Sequence, residues 1–150
     1  MNPLQWIAKG VRDFLVPHQP EAENLPRRVV NLTRGCALAT QLEVASSGST
    51  RRKGLLGRDG LLPGEGLWIV PCESVHTFFM RFPIDLIYLD RKNCVKKVRH
   101  AVGAWRISVC FTAHSVLELP AGTIRDSLTE KGDVLELSTA SPLNDTTSAS

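Results

Sequence analysis

The order of apolar and polar positions along this chain predicts many short strands separated by turns. Runs rich in Val, Ile, Leu, Tyr and Thr alternate with clusters of Gly, Pro, Asn, Asp and Ser. Strands are expected at 29–33, 37–45, 67–70, 84–89, 94–101, 115–119 and 133–138. Short helices are expected at 51–56 and 123–130. The pattern therefore predicts a mostly β (α+β) domain, a small compact β-barrel or sandwich with one or two short helices.

The most informative stretch runs from His76 to Asp90 and contains the densest aromatic run of the chain. Pro83 fixes its own φ and restricts the residue before it, so a bend is expected there between two extended segments. Alternation along 84–89 places Ile84, Leu86 and Tyr88 on one face and Asp85, Ile87 and Leu89 on the other. A carboxylate among aliphatic side chains needs a cation or several hydrogen-bond donors. Arg58 and Arg81 are the candidate partners of Asp85.

The two ends of the chain differ from its body. Residues 1–27 predict an amphipathic helix, with apolar residues at helical spacing, followed by a proline-bounded linker. That helix either docks on its own domain or lies on a membrane surface. The body, 28–138, is the β-rich domain, and the polar composition of 139–150 predicts a disordered tail.

Composition narrows the class of protein. The chain has 150 residues, of which 43% are hydrophobic and 22% charged, with a net charge of +3. These values are typical of one ordinary domain and do not favour nucleic acid as a partner. No apolar run approaches the roughly 20 residues of a membrane span, and no secretory signal is recognisable, so we expect a cytoplasmic protein. The four cysteines lack Cys-x-x-Cys spacing, which favours free thiols and no bound metal.

Four sequence blocks, in a fixed order, resemble a known family. They are Arg51–Arg58, Gly66–Ile69, His76–Asp90, and Val116–Gly122 followed by Gly132-Asp133. The first is similar to the family's Gly-Leu-x-x-Arg signature, the second to its Gly-Met-Leu-Phe element, and the third is the most specific. From about Gln41 to Leu137 the chain thus resembles the uncharacterised family known as domain of unknown function 192, or UPF0127. The resemblance implies a compact β-rich barrel with small helices and brings no catalytic assignment.

Two functional hypotheses follow from the polar residues among these blocks. The first is a small-molecule or peptide binding module with an apolar pocket and a polar anchor at Arg58 or Asp85. The ligand-binding candidates are Arg58, Trp68, Phe78, Met80, Arg81, Tyr88 and Glu118. The second is a hydrolase-like enzyme in which Asp85 orients His76 as a general base. Its nucleophile would be Cys72, Ser74 or Thr77.

The sequence favours the binding module over an enzyme. It contains no hydrolase signature, phosphate-binding loop, dinucleotide fingerprint or His-Glu-x-x-His pair, so neither a cofactor nor a metal is expected. Structural roles are open for the same residues: His76 as a core histidine, Glu118 as an exposed strand residue and Asp133 as a turn residue. The triplet at 51–53 is basic and is expected in the first turn of its helix, where it opposes the helix dipole. It is either solvated or part of an anion site.

Overall fold

The computed structural model describes residues 27–139, and these residues form nine strands and two short helices. The strands are β1 (Arg27–Asn31), β2 (Cys36–Ala45), β3 (Glu65–Ile69), β4 (Ser74–His76), β5 (Ile84–Leu89), β6 (Val95–Val102), β7 (Ile107–Val109), β8 (Ser115–Pro120) and β9 (Leu135–Thr139). The helices are α1 (Gly48–Lys53) and α2 (Thr123–Ser127). The mostly β class expected from the sequence is confirmed.

Seven strands form one curled sheet in the order β6-β5-β8-β3-β2-β1-β9, which makes a half-barrel. Every neighbouring pair in it is antiparallel except β2 and β3, which run parallel. The two outer strands approach each other at one end, where Cys94 and Val134 form an isolated bridge. The Val95 amide also donates to the Asp133 carbonyl at 2.8 Å. The sheet therefore closes partly through its own edges, which protects unpaired backbone groups.

The sheet has an apolar layer on each face. The inner layer joins residues of non-adjacent strands across the concave side, and α2 adds Ile124 to it. The outer layer lies on the convex side and includes Leu67, Leu86 and Val116. Because both faces are covered, all six residues of β5 are buried. The faces expected for β5 are confirmed, since Ile84, Leu86 and Tyr88 belong to the outer layer and Ile87 and Leu89 to the inner one.

A two-stranded ribbon, β4 paired with β7, covers part of the outer layer. Val75 is its buried strand residue in that layer, and Lys97 of β6 donates to the Val109 carbonyl at 2.7 Å. The expectation of extended structure over 76–81 is wrong, because β4 ends at His76 and Phe79 has a φ of 62°. Thr77 is buried just after the strand and donates its hydroxyl to the Gly103 carbonyl at 2.7 Å. This hydrogen bond holds the loop after β4 against the loop between β6 and β7.

Helix α1 begins three residues before its expected start. Ser47 caps it: its hydroxyl accepts the Thr50 amide at 3.2 Å, and the Thr50 hydroxyl in turn accepts the Ser47 amide at 3.1 Å. Arg51, Arg52 and Lys53 consequently occupy the last turn, where cations are favourable to the helix dipole. The expected conflict with the dipole is therefore wrong.

Several expectations concern residues beyond those that the structure describes. The amphipathic helix and linker over 1–27 fall outside it except for Arg27, and so does the tail after Thr139, which itself ends β9. Between 27 and 139, no helix is long and apolar enough to cross a membrane. The same range contains no group of three or more His, Cys, Asp and Glu arranged to hold a metal ion.

Candidate functional site

Asp85 is completely buried and is held by backbone amides. One carboxylate oxygen accepts the Ala101 amide at 2.8 Å, and the other accepts the amides of Gly122 at 3.1 Å and Ile124 at 2.8 Å. The φ of Gly122 is 99°, which a residue with a Cβ rarely adopts. In this conformation the Gly122 amide is one of the three donors to Asp85. The expectation that several donors reach Asp85 is confirmed.

The expectation that Arg58 or Arg81 pairs with Asp85 is wrong. Arg58 forms a two-pronged ion pair with Glu43, at 2.9 and 2.8 Å, and Arg81 pairs with Asp59 at 2.6 Å. The hydrogen bonds that Arg58 donates to Glu43 raise the pKa of Arg58. Both arginines therefore have exposed carboxylate partners of their own, and Asp85 is satisfied without a cation.

His76 and Asp85 are not brought together. His76 is exposed on β4, and its ring stacks on Phe78 with centroids 5.1 Å apart. His76 lines a cavity on the outer face of the sheet, whereas Asp85 lines a different one beside α2. Both oxygens of Asp85 are already engaged by backbone amides, so this arrangement does not supply the oriented histidine that a hydrolase would need.

The apolar candidates also do not form one pocket. Tyr88 is fully buried in the outer layer, and this burial raises its pKa to about 12. Trp68 packs against the inner layer on the opposite side of the sheet. Phe78 lies between His76 and Trp105, and only Met80 lines the cavity that contains His76. Alternation along each strand distributes these residues over both faces.

Glu118 is the residue that departs most from its expected environment. It is 4% exposed, so the expectation of an exposed strand residue is wrong. In the sheet it lies between Leu67 of β3 and Leu86 of β5, both part of the outer layer. Its Oε2 atom is buried and has no hydrogen-bond partner. Burial raises its pKa to about 7, despite the opposing influence of Arg58.

Glu118 lies in the wall of a cavity of about 450 Å³, which we call the α1 cavity. The cavity is bounded by α1 and the segment after it, by the segment leading into β4, and by the sheet. Its lining residues are Gly48, Arg51, Arg52, Lys53, Gly54, Leu55, Leu56, Ile69, Pro71, Cys72, Glu73, Ser74, Val75, His76, Met80 and Glu118. The volume falls within the range of small-molecule sites in proteins. The cavity thus combines a buried acid with several basic side chains.

The two sides of the α1 cavity differ in character. Leu55, Ile69 and Met80 are buried apolar residues of its inner part. The basic residues come from α1, where Arg51 donates to the Pro71 carbonyl at 3.0 Å and is thereby held against the opposite wall. The thiol of Cys72 donates to the Ser74 carbonyl at 3.1 Å, and burial raises the pKa of this thiol. These contacts fix the positions of Arg51 and Cys72 in the walls of the cavity.

A second cavity of about 740 Å³, which we call the α2 cleft, lies between α2 and β6. Its carboxylates already have partners: Asp85 has three amides, and Glu130 forms an ion pair with Arg34. The only buried, unpartnered charged atom recorded among residues 27–139 is the Oε2 of Glu118. The α1 cavity is therefore the stronger candidate site, although the α2 cleft is larger.

Sequence reasoning identified Glu118 and His76 as candidates but not the cavity that they share. One signal was available: Glu118 interrupts an otherwise apolar strand, and such strands are covered on both faces. The basic triplet at 51–53 was recognised as a possible anion site, but its position opposite Glu118 depends on the sheet. Cys72 and Ser74 do line this cavity beside His76, whereas Thr77 is buried in a structural role.

The fold and the cavity together define a small β half-barrel protein with a polar site on the convex face of its sheet. A match to DUF192, described as "Uncharacterized ACR", covers residues 29–137. The chain therefore belongs to the DUF192 (UPF0127) family, and the resemblance seen in the sequence is confirmed.

Curated relatives agree with this assignment, and solved structures share the fold. A UPF0127 protein of Thermococcus gammatolerans is 31% identical over 113 residues, covering 71% of this chain and 72% of the relative. A UPF0127 protein of Pyrococcus abyssi is 31% identical over 115 residues, covering 72% of this chain and 95% of the relative. A crystal structure of a protein of unknown function from Novosphingobium aromaticivorans has a TM-score of 0.65 and 21% identity, covering 74% of this chain and 83% of that one. The crystal structure of a proposed transcription regulator from Sinorhizobium meliloti also has a TM-score of 0.65. Its identity is 23%, and the match covers 73% of this chain and 90% of that one. These two likenesses show the fold.

Proposed function

We propose that this protein is a binding module for a small molecule, which it holds in the α1 cavity. The observation that carries the proposal is the carboxylate of Glu118, which is 4% exposed and has one oxygen without a partner in the wall of that cavity. A buried polar group without a partner is costly, and the cost is greatest for an ionisable group such as this carboxylate. A bound molecule that donates to Glu118 would remove that cost.

The remaining lining supports recognition rather than catalysis. Apolar walls from Leu55, Ile69 and Met80 supply burial for a ligand, while a few polar groups would fix its orientation. The hydrolase alternative lacks comparable support, because its two proposed residues, His76 and Asp85, line different cavities.

A fragment screen by protein-observed NMR on the 150-residue chain tests the proposal. We expect fragments that bind to shift backbone amides within 48–56 and 71–76, the two segments that line the cavity. Ser74→Trp should fill the cavity and abolish these shifts, whereas Thr112→Trp, at an exposed position outside it, should preserve them. Fragments that bind only at the α2 cleft, or no binding by a folded protein, would contradict the proposal.

A further inference from the structure

Within the proposed function, the α1 cavity has two chemically distinct poles. Glu118 forms the acidic pole, set into the outer face of the sheet between Leu67 and Leu86. The basic pole consists of Arg51, Arg52 and Lys53, which belong to the last turn of α1. The poles belong to separate elements that face the same space, so a molecule in the cavity can contact both.

The acidic pole requires a particular partner. An unpaired carboxylate in an apolar wall is stabilised by a hydrogen-bond donor, and most strongly by a charged one such as an ammonium group. Arg58 is the cation whose charge influences Glu118 from nearby, but its guanidinium already forms two bonds to Glu43. Arg58 therefore does not supply that donor, and a bound ligand can supply it.

The basic pole is likewise free to engage an anion. Within residues 27–139, none of the three side chains at 51–53 forms an ion pair with a carboxylate. Arg51 is nevertheless positioned, since its guanidinium donates to the Pro71 carbonyl at 3.0 Å and leaves further N–H groups available. Glu73 is the other acidic residue of the lining, and it is exposed. An arginine with remaining donors recognises a carboxylate with defined geometry.

Resting on the proposed function, we infer that the ligand is an amino-carboxylate, an amino acid or short peptide with a free amino group and a free carboxylate. Its ammonium group binds the carboxylate of Glu118, and its carboxylate binds the basic residues of α1. The apolar walls between the poles receive its side chains. The volume of about 450 Å³ sets the scale at a molecule of one or two residues rather than a long peptide.

The test uses dipeptides with one end blocked at a time. Glycylglycine, alanylalanine and leucylleucine are titrated at pH 8 into the ¹⁵N-labelled full chain, followed by their N-acetyl and C-amide derivatives. We expect at least one free dipeptide to shift the amides of 48–56 and 71–76, and each blocked derivative to bind at least tenfold more weakly. A blocked derivative that binds as tightly as its parent overturns the role assigned to the corresponding pole.

Matched variants connect each pole to its ligand group. Glu118→Gln should weaken the free dipeptide at least tenfold, and Arg51→Gln should do the same, with both variants checked for an unchanged fold by their spectra. Glu136→Gln and Arg99→Gln, exposed strand positions outside the cavity, should bind like the parent. If fragments bind in the cavity but no dipeptide does, the ligand class is overturned and the binding module stands. If neither fragments nor dipeptides bind, both the ligand class and the binding module are overturned.

Discussion

Asp85 and Glu118 lie on adjacent strands, one position out of register, and their carboxylates point to opposite faces of the sheet. In the β5–β8 pair, Leu86 is opposite Glu118 and Asp85 is opposite Leu119. Asp85 reaches three amides on its side, whereas the Oε2 of Glu118 has no partner on the other. Two buried acids on neighbouring strands thus have contrasting environments: three amides satisfy Asp85, and one oxygen of Glu118 has no hydrogen-bond partner.

The three backbone amides that donate to Asp85 predict that loss of its carboxylate destabilises the fold strongly. Asp85→Ala leaves three buried amides without an acceptor, so we expect the free energy of unfolding to fall by about 3–5 kcal/mol. Asp85→Asn retains the shape and one acceptor oxygen and should cost less. Urea unfolding measures both, with Asp126→Ala, an exposed carboxylate on α2, as the control. A melting temperature of Asp85→Ala at or above that of the parent would show that this carboxylate is not structural.

A third buried carboxylate, Asp133, connects the segment before β9 to the end of β1 and the turn after it. It accepts hydrogen bonds from Asn31 at 2.9 Å, from Arg34 at 3.0 Å and from the Glu130 amide at 3.1 Å. Asp133 does close a turn, since its amide donates to the Glu130 carbonyl at 3.2 Å, and its bonds to Asn31 and Arg34 come in addition to that expected role. Burial alone would raise its pKa, but the bonds from Arg34, Asn31 and Glu130 outweigh burial and lower it.

The lowered pKa of Asp133 determines how this residue's contribution to stability depends on pH. The folded protein holds the Asp133 proton less tightly than the unfolded chain, so its contribution is full at neutral pH and is lost as the pH falls below about 4. We expect Asp133→Asn to lower stability at pH 7 and to differ less from the parent at pH 3. Denaturation at both pH values tests this. A deficit that is the same at pH 3 and pH 7 would disprove the linkage.

The N-terminal segment is predicted to be dispensable for folding. The described members of both apolar layers lie between 29 and 137, and deletion of residues 1–24 leaves all of them in place. We expect the shortened chain to unfold cooperatively, with a loss of less than about 1–2 kcal/mol. Calorimetry on the two chains provides the comparison, and a substantially larger loss would mean that the segment completes the core.

Local features of the fold could be predicted from sequence because their causes are local. Strand β5 begins and ends where its apolar run does, at Ile84 and Leu89. The next four residues, Asp90-Arg-Lys-Asn93, have the composition of a turn, and Asp90 supports that turn by accepting the amides of Lys92 at 2.8 Å and Cys94 at 3.1 Å. The bonds from Cys94 and Lys92 contribute to lowering the pKa of Asp90. Such turns involve residues within four positions of one another.

The site could not be assembled in the same way because its partners are distant in the chain. The donors to Asp85 come from residues 101, 122 and 124, and two of them depend on the backbone conformation around α2. The burial of Glu118 depends on the outer layer over β8, to which residues of β4 and of the segment after α1 contribute. Alternation on one strand distinguishes its two faces but does not show what covers each of them.

The raised pKa of Glu118 predicts an unusual dependence of stability on pH. In the folded protein this pKa is about 7, compared with an ordinary value of 4.5. Between these values the folded protein retains a proton that the unfolded chain releases, so stability falls as the pH rises through this window. A difference of about 2.5 in pKa corresponds to roughly 3 kcal/mol, which is the expected size of the penalty at pH 8.

Glu118→Gln removes the charge while preserving shape, and so it separates stability from ligand binding. We expect the variant to match the parent near pH 4.5 and to exceed its unfolding free energy by about 2–3 kcal/mol at pH 8. Urea titrations across this range, with Glu136→Gln as an exposed control, measure the difference. A difference that does not change with pH would mean that Glu118 is ionised normally in the folded protein. A stabilised variant that no longer binds dipeptides is the pattern of a residue retained for function at a cost in stability.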